Sequence, residues 1–474
     1  MAPPRDDAVL DFFANQTVFL TGSTGGLGGC VLYKLAVTLK AARIFVLVRH
    51  DAETVRRKWE ASMGIKADDI FSNDRVVLLA GDCTKPRLGL SAKDYLAVQK
   101  SVSVIINASA NIDFYDPLVK LVASNCLSAL EIAALGAAMP NLRRFVHVST
   151  AYANSFLDDG LVEEKVYPFG NPESELLQHL AEQLLVQRFP RLPLLIVRPS
   201  SVGPALEVPF SQYMPQASCP LSNMYARLIY PTGGANTWHV PDGVSSGSNI
   251  LDEIPVDIVA NMMLQHVCRG TAGVVHAGSE LYIPRTLDHF LADLEEHVPD
   301  EWRRKMAKNV FTADLSQRQC KIANFYRVTT RDWWFCTLRS AGLDSTGPLG
   351  LSPQDHDPDT YVRDRLAQVM RSLPKDMLRE CEGKGLALKA SSVLNVSQLI
   401  VLWLGAGWEE VPQERLASLL VLVLDFFYGP EQVLDVGASV VPRRCGAFHV
   451  SYGGSQTFHH HGVQLRLQQV HQSR

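Results

Sequence analysis

The stretch TVFLTGSTGGLGG, residues 17–29, decides the fold of this chain. Residues 17–21 form a short apolar run of the kind found in buried strands, and glycines follow at the spacing Gly22-x-x-Gly25-x-x-Gly28. The next stretch, VLYKLAVTLK at residues 31–40, has the apolar spacing of a helix. The sequence therefore predicts a strand, a tight turn and a helix in direct succession.

Each glycine of this motif has a physical role at a nucleotide site. Gly22 permits the tight turn, Gly25 lets the backbone approach a pyrophosphate, and Gly28 allows the helix to pack closely. The helix N-terminus also favours the negative charge of the phosphates. The loop residues predicted to bind a dinucleotide are Thr21, Gly22, Thr24, Gly25, Gly26, Leu27 and Gly28.

The residue after the second predicted strand indicates which dinucleotide is bound. An acidic side chain there would accept hydrogen bonds from the adenine ribose of NAD, but VLV at residues 46–48 runs into Arg49. A guanidinium in this place suits a 2′-phosphate, so we expect the cofactor to be NADP(H). Arg56 and Arg57 either assist or are solvated helix charges. Asp82, at the end of the third strand, either meets the adenine edge or caps a turn.

Further apolar runs have the length of buried parallel strands, and helix-like stretches separate them. Strands that alternate with helices imply right-handed βαβ units, so the predicted fold class is α/β, a Rossmann-type doubly wound parallel sheet. The predicted strands are residues 17–21, 44–48, 76–80, 102–106, 145–148 and 194–197. The predicted helices are residues 31–40, 92–100, 118–135 and 175–188.

A shift in composition at residues 279–284 predicts a domain boundary. We expect an NADP-binding Rossmann domain over residues 1–283, a smaller and mainly helical domain over 284–440, and a weakly ordered tail over 441–474. Residues 209–249 are rich in proline, glycine and serine with little periodicity, which is typical of a substrate loop or lid. The packing anchors predicted in the second domain are Trp302, Trp333 and Trp334.

The composition argues against several classes of protein. With 45 lysines and arginines against 49 acidic residues, the net charge of −4 offers no basic footprint for nucleic acid. The nine cysteines contain no C-x-x-C pair and match neither a zinc site nor a disulfide framework, so we predict no bound metal and an intracellular location. Residues 1–13 lack the apolar stretch of a secretory signal, and we expect no export.

Two late segments, residues 399–408 and 416–428, are strongly apolar. Both are shorter than the roughly 18 apolar residues that a spanning helix requires. We expect either two core helices or a peripheral contact with a membrane through residues 399–428. The predicted location is therefore cytoplasmic, or peripheral on an organelle membrane.

Eight segments, taken in order, resemble the extended short-chain dehydrogenases and, among them, the male-sterility-type fatty acyl-CoA reductases and related thioester reductases. The resemblance covers residues 18–278 and thins beyond residue 281 to NFYRVTTRDWW at 324–334. The segments are TGSTGGLGG at 21–29, VLVR at 46–49, GDCTKPRLGLS at 81–91, NASANIDF at 107–114, RFVHVSTAYAN at 144–154, EEKVYP at 163–168, VRPSSVGPA at 197–205 and IPVDIVANMM at 254–263.

The resemblance implies that hydride from NADPH reduces an acyl-CoA or carrier-bound acyl thioester, without a metal. The resulting hemithioacetal collapses to an aldehyde, which a second hydride often converts to the alcohol. In this family a serine or threonine shares oxyanion stabilisation with a tyrosine, and Ser149 and Thr150 stand at the first of these positions. Asn125 corresponds to an asparagine that holds the active-site backbone or a water. Further cofactor contacts are expected from strand ends, at Asp82, Cys83, Asn107, Ala108, Pro199 and Ser200.

The resemblance fails at one place. The family carries a tyrosine and a lysine four residues apart on one helix, where the lysine lowers the tyrosine pKa and holds the ribose. In this chain Ser174 and Gln178 stand at those positions. A serine hydroxyl is far less acidic than a phenol, and glutamine adds no positive charge. The neighbours that could substitute are His179, Tyr152 and Tyr167, of which histidine is the most capable donor near neutral pH.

Three explanations stay open for the missing pair: a different donor, loss of turnover, or a misassigned exon boundary between residues 168 and 175. The leading hypothesis is NADPH-dependent reduction of a fatty acyl-CoA or carrier-bound thioester to an aldehyde, an alcohol or both. One alternative is a cofactor-binding pseudoenzyme or regulator. Another is an extended short-chain dehydrogenase that acts on a free alcohol or sugar, against which the segment at residues 254–257 argues.

Overall fold

The structure is a computed structural model that describes residues 6–111, 116, 118–168, 177–215, 218–230, 233–325, 331–352, 356–373, 449–450, 456–460 and 463–467. The chain divides into two compact units, residues 1–396 and 397–474. The strands described in the first unit are β1 (Thr17–Thr21), β2 (Arg43–Val48), β3 (Val76–Ala80), β4 (Val104–Asn107), β5 (Arg144–Val148), β6 (Gly160–Val162), β7 (Leu194–Pro199), β8 (Ser201–Gly203), β9 (Ala235–His239), β10 (Glu253–Pro255), β11 (Gly273–Ala277), β12 (Lys308–Thr312) and β13 (Trp333–Phe335).

Seven of these strands form one parallel sheet in the order β11-β7-β5-β4-β1-β2-β3. This is a doubly wound sheet, so the predicted α/β fold of Rossmann type is confirmed. The order reverses between β1 and β4, and such sheets bind their ligands at the carboxyl ends of the strands beside this reversal. The six predicted strands are all present, whereas β11 escapes prediction because its apolar run is short and interrupted by His276.

Helices connect the strands and form the layers on the sheet. They are α1 (Asp6–Ala14), α2 (Gly26–Tyr33), α3 (Ala52–Met63), α4 (Lys66–Phe71), α5 (Ala92–Ser101), α6 (Leu118–Leu121), α7 (Ser128–Ala137), α8 (Leu177–Arg188), α9 (Pro220–Ile229), α10 (Val256–Arg269), α11 (Leu287–His297), α12 (Asp300–Arg303), α13 (Lys321–Phe325) and α14 (Pro358–Ser372). Helix α2 packs against α10, and α7 packs against α8. A π-helical turn, Val122–Leu127, joins α6 to α7 and carries Asn125.

Strands from late in the chain pair with strands from its first half. β12 runs parallel to β9, and β13 runs parallel to β6. The first unit therefore includes elements on both sides of residues 283 and 284, and the domain boundary expected there stays a prediction. In the second unit β14 (His449–Val450), β15 (Gln456–His460) and β16 (Val463–Leu467) form a small sheet in the order β14-β16-β15.

The structure differs from the sequence analysis at two places. Residues 209–249, which show little periodicity, contain α9 and β9, because Leu221, Met224 and Leu228 give α9 a buried face that the surrounding proline, serine and asparagine obscure. Their role as a substrate loop or lid stays a prediction. Trp334 is not a packing anchor: its side chain is 58% exposed and its Nε1 donates to Glu280.

One described helical stretch, Val119–Ala137, is long and apolar enough to cross a membrane by composition. More than half of it is buried inside the protein, as in the core helix of a globular domain. The apolar segments at residues 399–428, through which a peripheral membrane contact is predicted, lie outside the described residues.

Candidate cofactor and active site

The turn after β1 requires its glycines. Gly22 adopts φ +76°, and a Cβ there would lie 2.4 Å from the carbonyl oxygen of Ala108 at the end of β4. A Cβ at Gly28 would lie 2.2 Å from the carbonyl oxygen of Gly22, so α2 packs directly on the turn. The amide of Gly25 donates to the carbonyl of Gly22 at 3.0 Å and tightens the loop. The loop and the start of α2 thus form a cradle, residues 21–28. Side chains at its glycine positions would fill this space.

The first turn of α2 offers its backbone N–H groups to a ligand. Gly25 occupies the N-cap, and no side chain caps the helix. Because the first N–H groups of a helix have no partner within it, an uncapped N-terminus beside a glycine turn is suited to bind phosphate. The hydroxyl of Ser23 is buried and has no hydrogen-bond partner among the residues that the structure describes. Thr24 is exposed beside it.

The segment at residues 213–214 closes the other side of α2. Tyr213 donates its hydroxyl to the carbonyl of Gly26 at 3.1 Å, and a Cβ at Gly26 would lie 2.3 Å from the sulfur of Met214. Three N–H groups, from residues 206, 207 and 208, bond to the buried carboxylate of Asp257 and hold the chain that leads to this segment. A Cβ at position 26 would therefore displace the end of the Met214 side chain that packs on α2.

A buried row of polar side chains crosses the sheet below the cradle. Thr21 Oγ1 donates to Asn107 Oδ1 at 2.7 Å, and the Asn107 amide nitrogen lies 3.2 Å from His147 Nδ1. Burial lowers the pKa of His147 to about 4, so this imidazole is neutral near pH 7 and accepts from the amide. The row links β1, β4 and β5 at the sheet edge, and it places Thr21 and Asn107 beside the loop as the sequence predicts.

Arg49 and Asp82 lie at the ends of neighbouring strands, β2 and β3. Arg49 is exposed and makes no hydrogen bond or ion pair with the residues described. Burial raises the pKa of Asp82, but hydrogen bonds from Thr84 N (2.9 Å) and Oγ1 (2.8 Å) and the charge of Arg49 hold it below its usual value. Asp82 therefore caps its own turn. The Cys83 sulfur lies 4.0 Å from Ser109 Oγ, and burial raises its pKa.

The two other arginines considered for the 2′-phosphate are engaged elsewhere. Arg56 contacts Glu60 at 2.8 Å and Asp68 at 2.9 Å, and its guanidinium lies over the ring of Phe71. Arg57 lies 3.6 Å from Glu53. Arg56 and Arg57 are therefore solvated helix charges, and Arg49 is the better placed cation for a 2′-phosphate.

Asn125 holds the backbone that follows β4. Its Oδ1 accepts from Asn111 N at 2.7 Å, and its Nδ2 donates to Asn111 O at 2.9 Å. Asn125 is buried rather than facing solvent, and it lies in the π-helical turn, a distortion frequent at functional sites. The structure thus gives this side chain the backbone-holding contact that the resemblance implies.

Ser149 and Thr150 follow β5 at the sheet edge. The Ser149 hydroxyl is buried without a hydrogen-bond partner in the described residues, and its N–H donates to Val197 O at 2.8 Å. Thr150 Oγ1 accepts from Tyr152 N at 3.3 Å and caps the 3-10 turn Ala151–Asn154. The Ser149 backbone lies next to β7, because Val148 pairs with Val197 and Ser149 N donates to Val197 O.

The helix expected to carry the proton donor is only partly described. Ser174 lies outside the described residues, and Gln178 lies in the first turn of α8 with its side chain undescribed. His179 is fully buried against Phe156, and burial, with the charge of Arg198, lowers its pKa to about 4. A buried neutral imidazole does not supply a proton near pH 7.

The two tyrosines considered as donors form hydrogen bonds within the fold. Tyr152 is partly buried, its hydroxyl contacts Ser201 Oγ at 3.2 Å and Asp252 O at 3.3 Å, and burial raises its pKa. The Tyr167 hydroxyl accepts from Glu163 N at 2.8 Å. The Tyr152 hydroxyl proton is therefore engaged within the fold, whereas Tyr167, as an acceptor in this contact, keeps its own hydroxyl proton.

A buried ion pair fixes α8 to the sheet. Arg198 of β7 donates from Nε to Glu182 Oε1 at 2.9 Å, and both side chains are fully buried. The guanidinium also donates to Lys165 O at 3.0 Å and reaches His276 Nε2 at 3.5 Å. Burial, with the same Arg198 charge, lowers the pKa of His276 to about 3. The sequence does not predict this pair, because an arginine after the apolar run at residues 194–197 does not indicate which distant side chain it contacts.

Ser200 follows β7 and lies beside a carboxyl group that sequence reasoning also misses. Asp252 is 5% exposed and its Oδ1 accepts from Ser279 N at 2.7 Å. Burial raises the pKa of Asp252 to about 6, although the hydroxyls of Ser200 and Ser279 lower it. Ser200 Oγ is buried and has no hydrogen-bond partner among the described residues. Pro199 ends β7 immediately before it.

A cavity of about 320 Å³ lies between β10, α11 and α14. Two arginines in its wall are neutralised by carboxylates: Arg365 by Glu253 at 2.6 and 2.7 Å, and Arg285 by Asp293 at 2.6 and 3.0 Å. The rest of the wall mixes apolar and aromatic residues such as Phe290 with the polar side chains of His289, Glu296 and Asp359. Its volume is at the lower end of the range of about 300–1,000 Å³ for ligand sites.

The residues present fit a dinucleotide. The cradle excludes side chains, the start of α2 is uncapped, and the buried hydroxyls of Ser23 and Ser149 lack partners in the described residues. A buried hydroxyl without a partner costs free energy, so such groups indicate a ligand at the sheet edge. The fold and this cradle define a nicotinamide-dinucleotide-binding protein of the Rossmann class.

The family follows from the sequence of the same region. Residues 20–263 match the NAD-binding family described as male sterility protein, and the chain belongs to this family. It is 27% identical over 293 residues to the Homo sapiens protein "Fatty acyl-CoA reductase 1", covering 54% of this chain and 55% of that protein. It is 25% identical over 370 residues to "Fatty acyl-CoA reductase wat" of Drosophila melanogaster, covering 69% and 67%.

The chain spans about half the length of the first of these curated relatives. Among solved structures it is similar to the terminal R domain from the myxalamid PKS-NRPS biosynthetic pathway, with a TM-score of 0.55 and 19% identity over 76% of this chain and 92% of that one. At this identity the likeness concerns the fold alone.

Proposed function

We propose that this chain is an NADPH-dependent reductase of acyl thioesters, either fatty acyl-CoA or an acyl chain on a carrier, with an aldehyde, an alcohol or both as product. The observation that carries the proposal is the intact cradle at residues 21–28, in a chain whose relatives are named fatty acyl-CoA reductases.

The preference for NADPH rests on Arg49. Its exposed guanidinium follows β2, where an acidic residue would instead bind the ribose hydroxyls of NAD. A guanidinium and a phosphate form charge-assisted hydrogen bonds that are stronger than neutral ones. The absence of a described hydrogen-bonding partner for Arg49 supports this role.

The reaction uses residues at the ends of β5 and β7. When bound, the reduced nicotinamide supplies hydride to the carbonyl carbon of the thioester. Thr150, with Ser149, would polarise the carbonyl oxygen, because a positioned hydroxyl stabilises the charge that develops there. Asn125 holds the neighbouring loop through Asn111, so that the cleft keeps its shape.

The proposal is tested by following NADPH oxidation with long-chain acyl-CoA and the purified protein. We expect slow turnover, and we expect Thr150→Ala to reduce it by about 10²-fold, the cost of losing one oxyanion donor. Cys320→Ser, outside the sheet edge, is the control and should keep the rate of the wild type. Turnover no higher in the wild type than in Thr150→Ala would reject the proposed activity.

A second candidate is a regulator that binds NADPH and does not turn over. Ser174 and Gln178 favour it, since they replace the family's tyrosine and lysine. It predicts micromolar NADPH binding with no oxidation in the wild type. The double substitution Ser174→Tyr with Gln178→Lys should then create turnover, since a positioned general acid contributes about 10² to 10⁴ in rate.

A further inference from the structure

Helix α3 follows β2 and Arg49, and one narrow face of it is buried. The helix, AETVRRKWEASM, is rich in charged residues, and its buried residues are Val55, Trp59 and Met63, each four positions after the last. Residues four apart lie on one face of a helix, so α3 turns a single stripe toward the interior. Trp59 is the centre of this stripe and is 1% exposed.

The indole of Trp59 bonds to the backbone of the glycine turn. Its Nε1 donates to the carbonyl oxygen of Ser23 at 3.0 Å, and this bond is buried. The same oxygen lies close to α2, since a Cβ at Gly29 would lie 3.3 Å from it and 2.8 Å from Cε of Met63. The Ser23 carbonyl is therefore enclosed between α2 and α3, and the indole fixes its direction.

The direction of this carbonyl determines where the next N–H group points. The peptide bond between Ser23 and Thr24 is trans. In a planar trans peptide the C=O and N–H bonds point in opposite directions. The Ser23 carbonyl points into the protein at Trp59, so the Thr24 N–H points away from α3, and Thr24 is exposed. Among the described residues, this N–H has no hydrogen-bond acceptor.

We propose that Trp59 is a positioning residue for the dinucleotide: its indole holds the peptide between Ser23 and Thr24 so that the Thr24 N–H faces the pyrophosphate. This inference rests on the cofactor binding that the proposed function requires. The Thr24 N–H then acts together with the N–H groups at the uncapped start of α2. The cradle thus extends to α3, the helix that also follows Arg49.

The loss of this bond affects cofactor binding as well as stability. Without the indole N–H the Ser23 carbonyl is buried and unpaired, which costs free energy. The turn then relaxes until another donor reaches that oxygen, and the Thr24 N–H changes direction with it. Cofactor binding has to restore the original direction, so part of the loss is measured as a weaker affinity.

The test compares two substitutions at Trp59 by calorimetric titration with NADPH. Trp59→Phe keeps an aromatic ring beside Phe71, whose ring centroid lies 5.0 Å from that of the indole, but it has no donor. Trp59→His loses more packing but keeps a ring N–H, because the imidazole Nε2 takes the place of the indole Nε1 when the five-membered rings are superposed. We expect Trp59→Phe to weaken NADPH binding by about 3- to 10-fold, and Trp59→His to weaken it less. A role in packing alone predicts the reverse order, because phenylalanine fills more of the space.

Titration with NADH separates this effect from that of Arg49. Both cofactors contain the pyrophosphate, so Trp59→Phe should weaken NADH binding by the same factor. A loss confined to NADPH would instead indicate a contact with the 2′-phosphate and would overturn the assignment to the pyrophosphate.

Trp238→Phe is the matched control. Trp238 is also fully buried and donates its indole N–H, to Asn309 Oδ1 at 2.9 Å between β9 and β12. Its loss of thermal stability should resemble that of Trp59→Phe, whereas its NADPH affinity should equal that of the wild type.

Wild-type affinity in Trp59→Phe, or an equal loss of affinity in Trp238→Phe, overturns the inference. If the Trp59 variants do not fold, hydrogen exchange in the wild type decides: NADPH should protect the Thr24 N–H, and unchanged exchange overturns the inference. Absence of NADPH binding in the wild type overturns the inference and the proposed function together. Intact NADPH binding without turnover overturns the proposed reduction alone.

Discussion

The two halves of the sheet edge differ in what they are made of. At β1, β2 and β4 the cradle is formed by backbone groups. These are the glycines, the N–H groups at the uncapped start of α2, and the carbonyl of Ala108, which lies close to Gly22. At β5, β7 and β11 the edge consists of buried side chains, with an ion pair, neutral histidines and the Ser200 and Asp252 hydroxyl and carboxyl groups. Cofactor binding depends on backbone shape, whereas proton chemistry depends on a few exchangeable side chains. A chain can therefore keep the first and alter the second.

The largest expected effect lies at the side-chain half. Arg198→Met should lower the free energy of unfolding by about 3–5 kcal/mol, since it leaves Glu182 charged, buried and unpaired. Urea unfolding monitored by circular dichroism measures this loss. The control is Arg56→Met, which removes exposed contacts with Glu60 and Asp68 and should lower stability far less. Equal losses would show that the reaction end does not depend on its buried charges.

The next effect lies at the backbone half. Gly28→Ala places a Cβ 2.2 Å from Gly22 O, so α2 must move away from the turn at a cost of about 1–3 kcal/mol. We expect NADPH affinity, measured by calorimetry, to fall by about 10- to 100-fold. Gly342→Ala, whose Cβ would meet only Arg269 at 3.9 Å, should leave the affinity unchanged. Unchanged binding in Gly28→Ala would contradict the cradle.

The smallest effect concerns one charge. Arg49→Ser should weaken NADPH binding by about 10-fold, the loss of roughly 1.5 kcal/mol for a hydrogen bond to a charged group, and leave NADH binding as it is. Arg57→Ser serves as the comparison, because its partner Glu53 lies on the same helix and exposed to solvent. A similar loss in both variants, or for both cofactors, would remove Arg49 from the 2′-phosphate site.

The sequence predicts the backbone half better than the side-chain half. Glycine spacing after an apolar strand carries its own geometry, and the positions of Gly22 and Gly28 in the structure agree with the predicted roles. The roles of Glu182, Arg198 and Asp252 depend on burial against residues distant in the chain, which local patterns do not encode. Asn125 is intermediate, since the resemblance suggests its role and the π-helical turn supplies the contact.

The parallel pairs β9 with β12 and β6 with β13 have a practical consequence for dividing the chain. Any fragment that stops at residue 283 would retain β6 and β9 but leave each with a bare edge of unpaired amides and carbonyls. Such edges recruit other chains and lead to aggregation. The shortest N-terminal fragment that keeps both pairs of strands ends after Phe335. A soluble preparation of the nucleotide-binding half therefore needs residues well beyond residue 283.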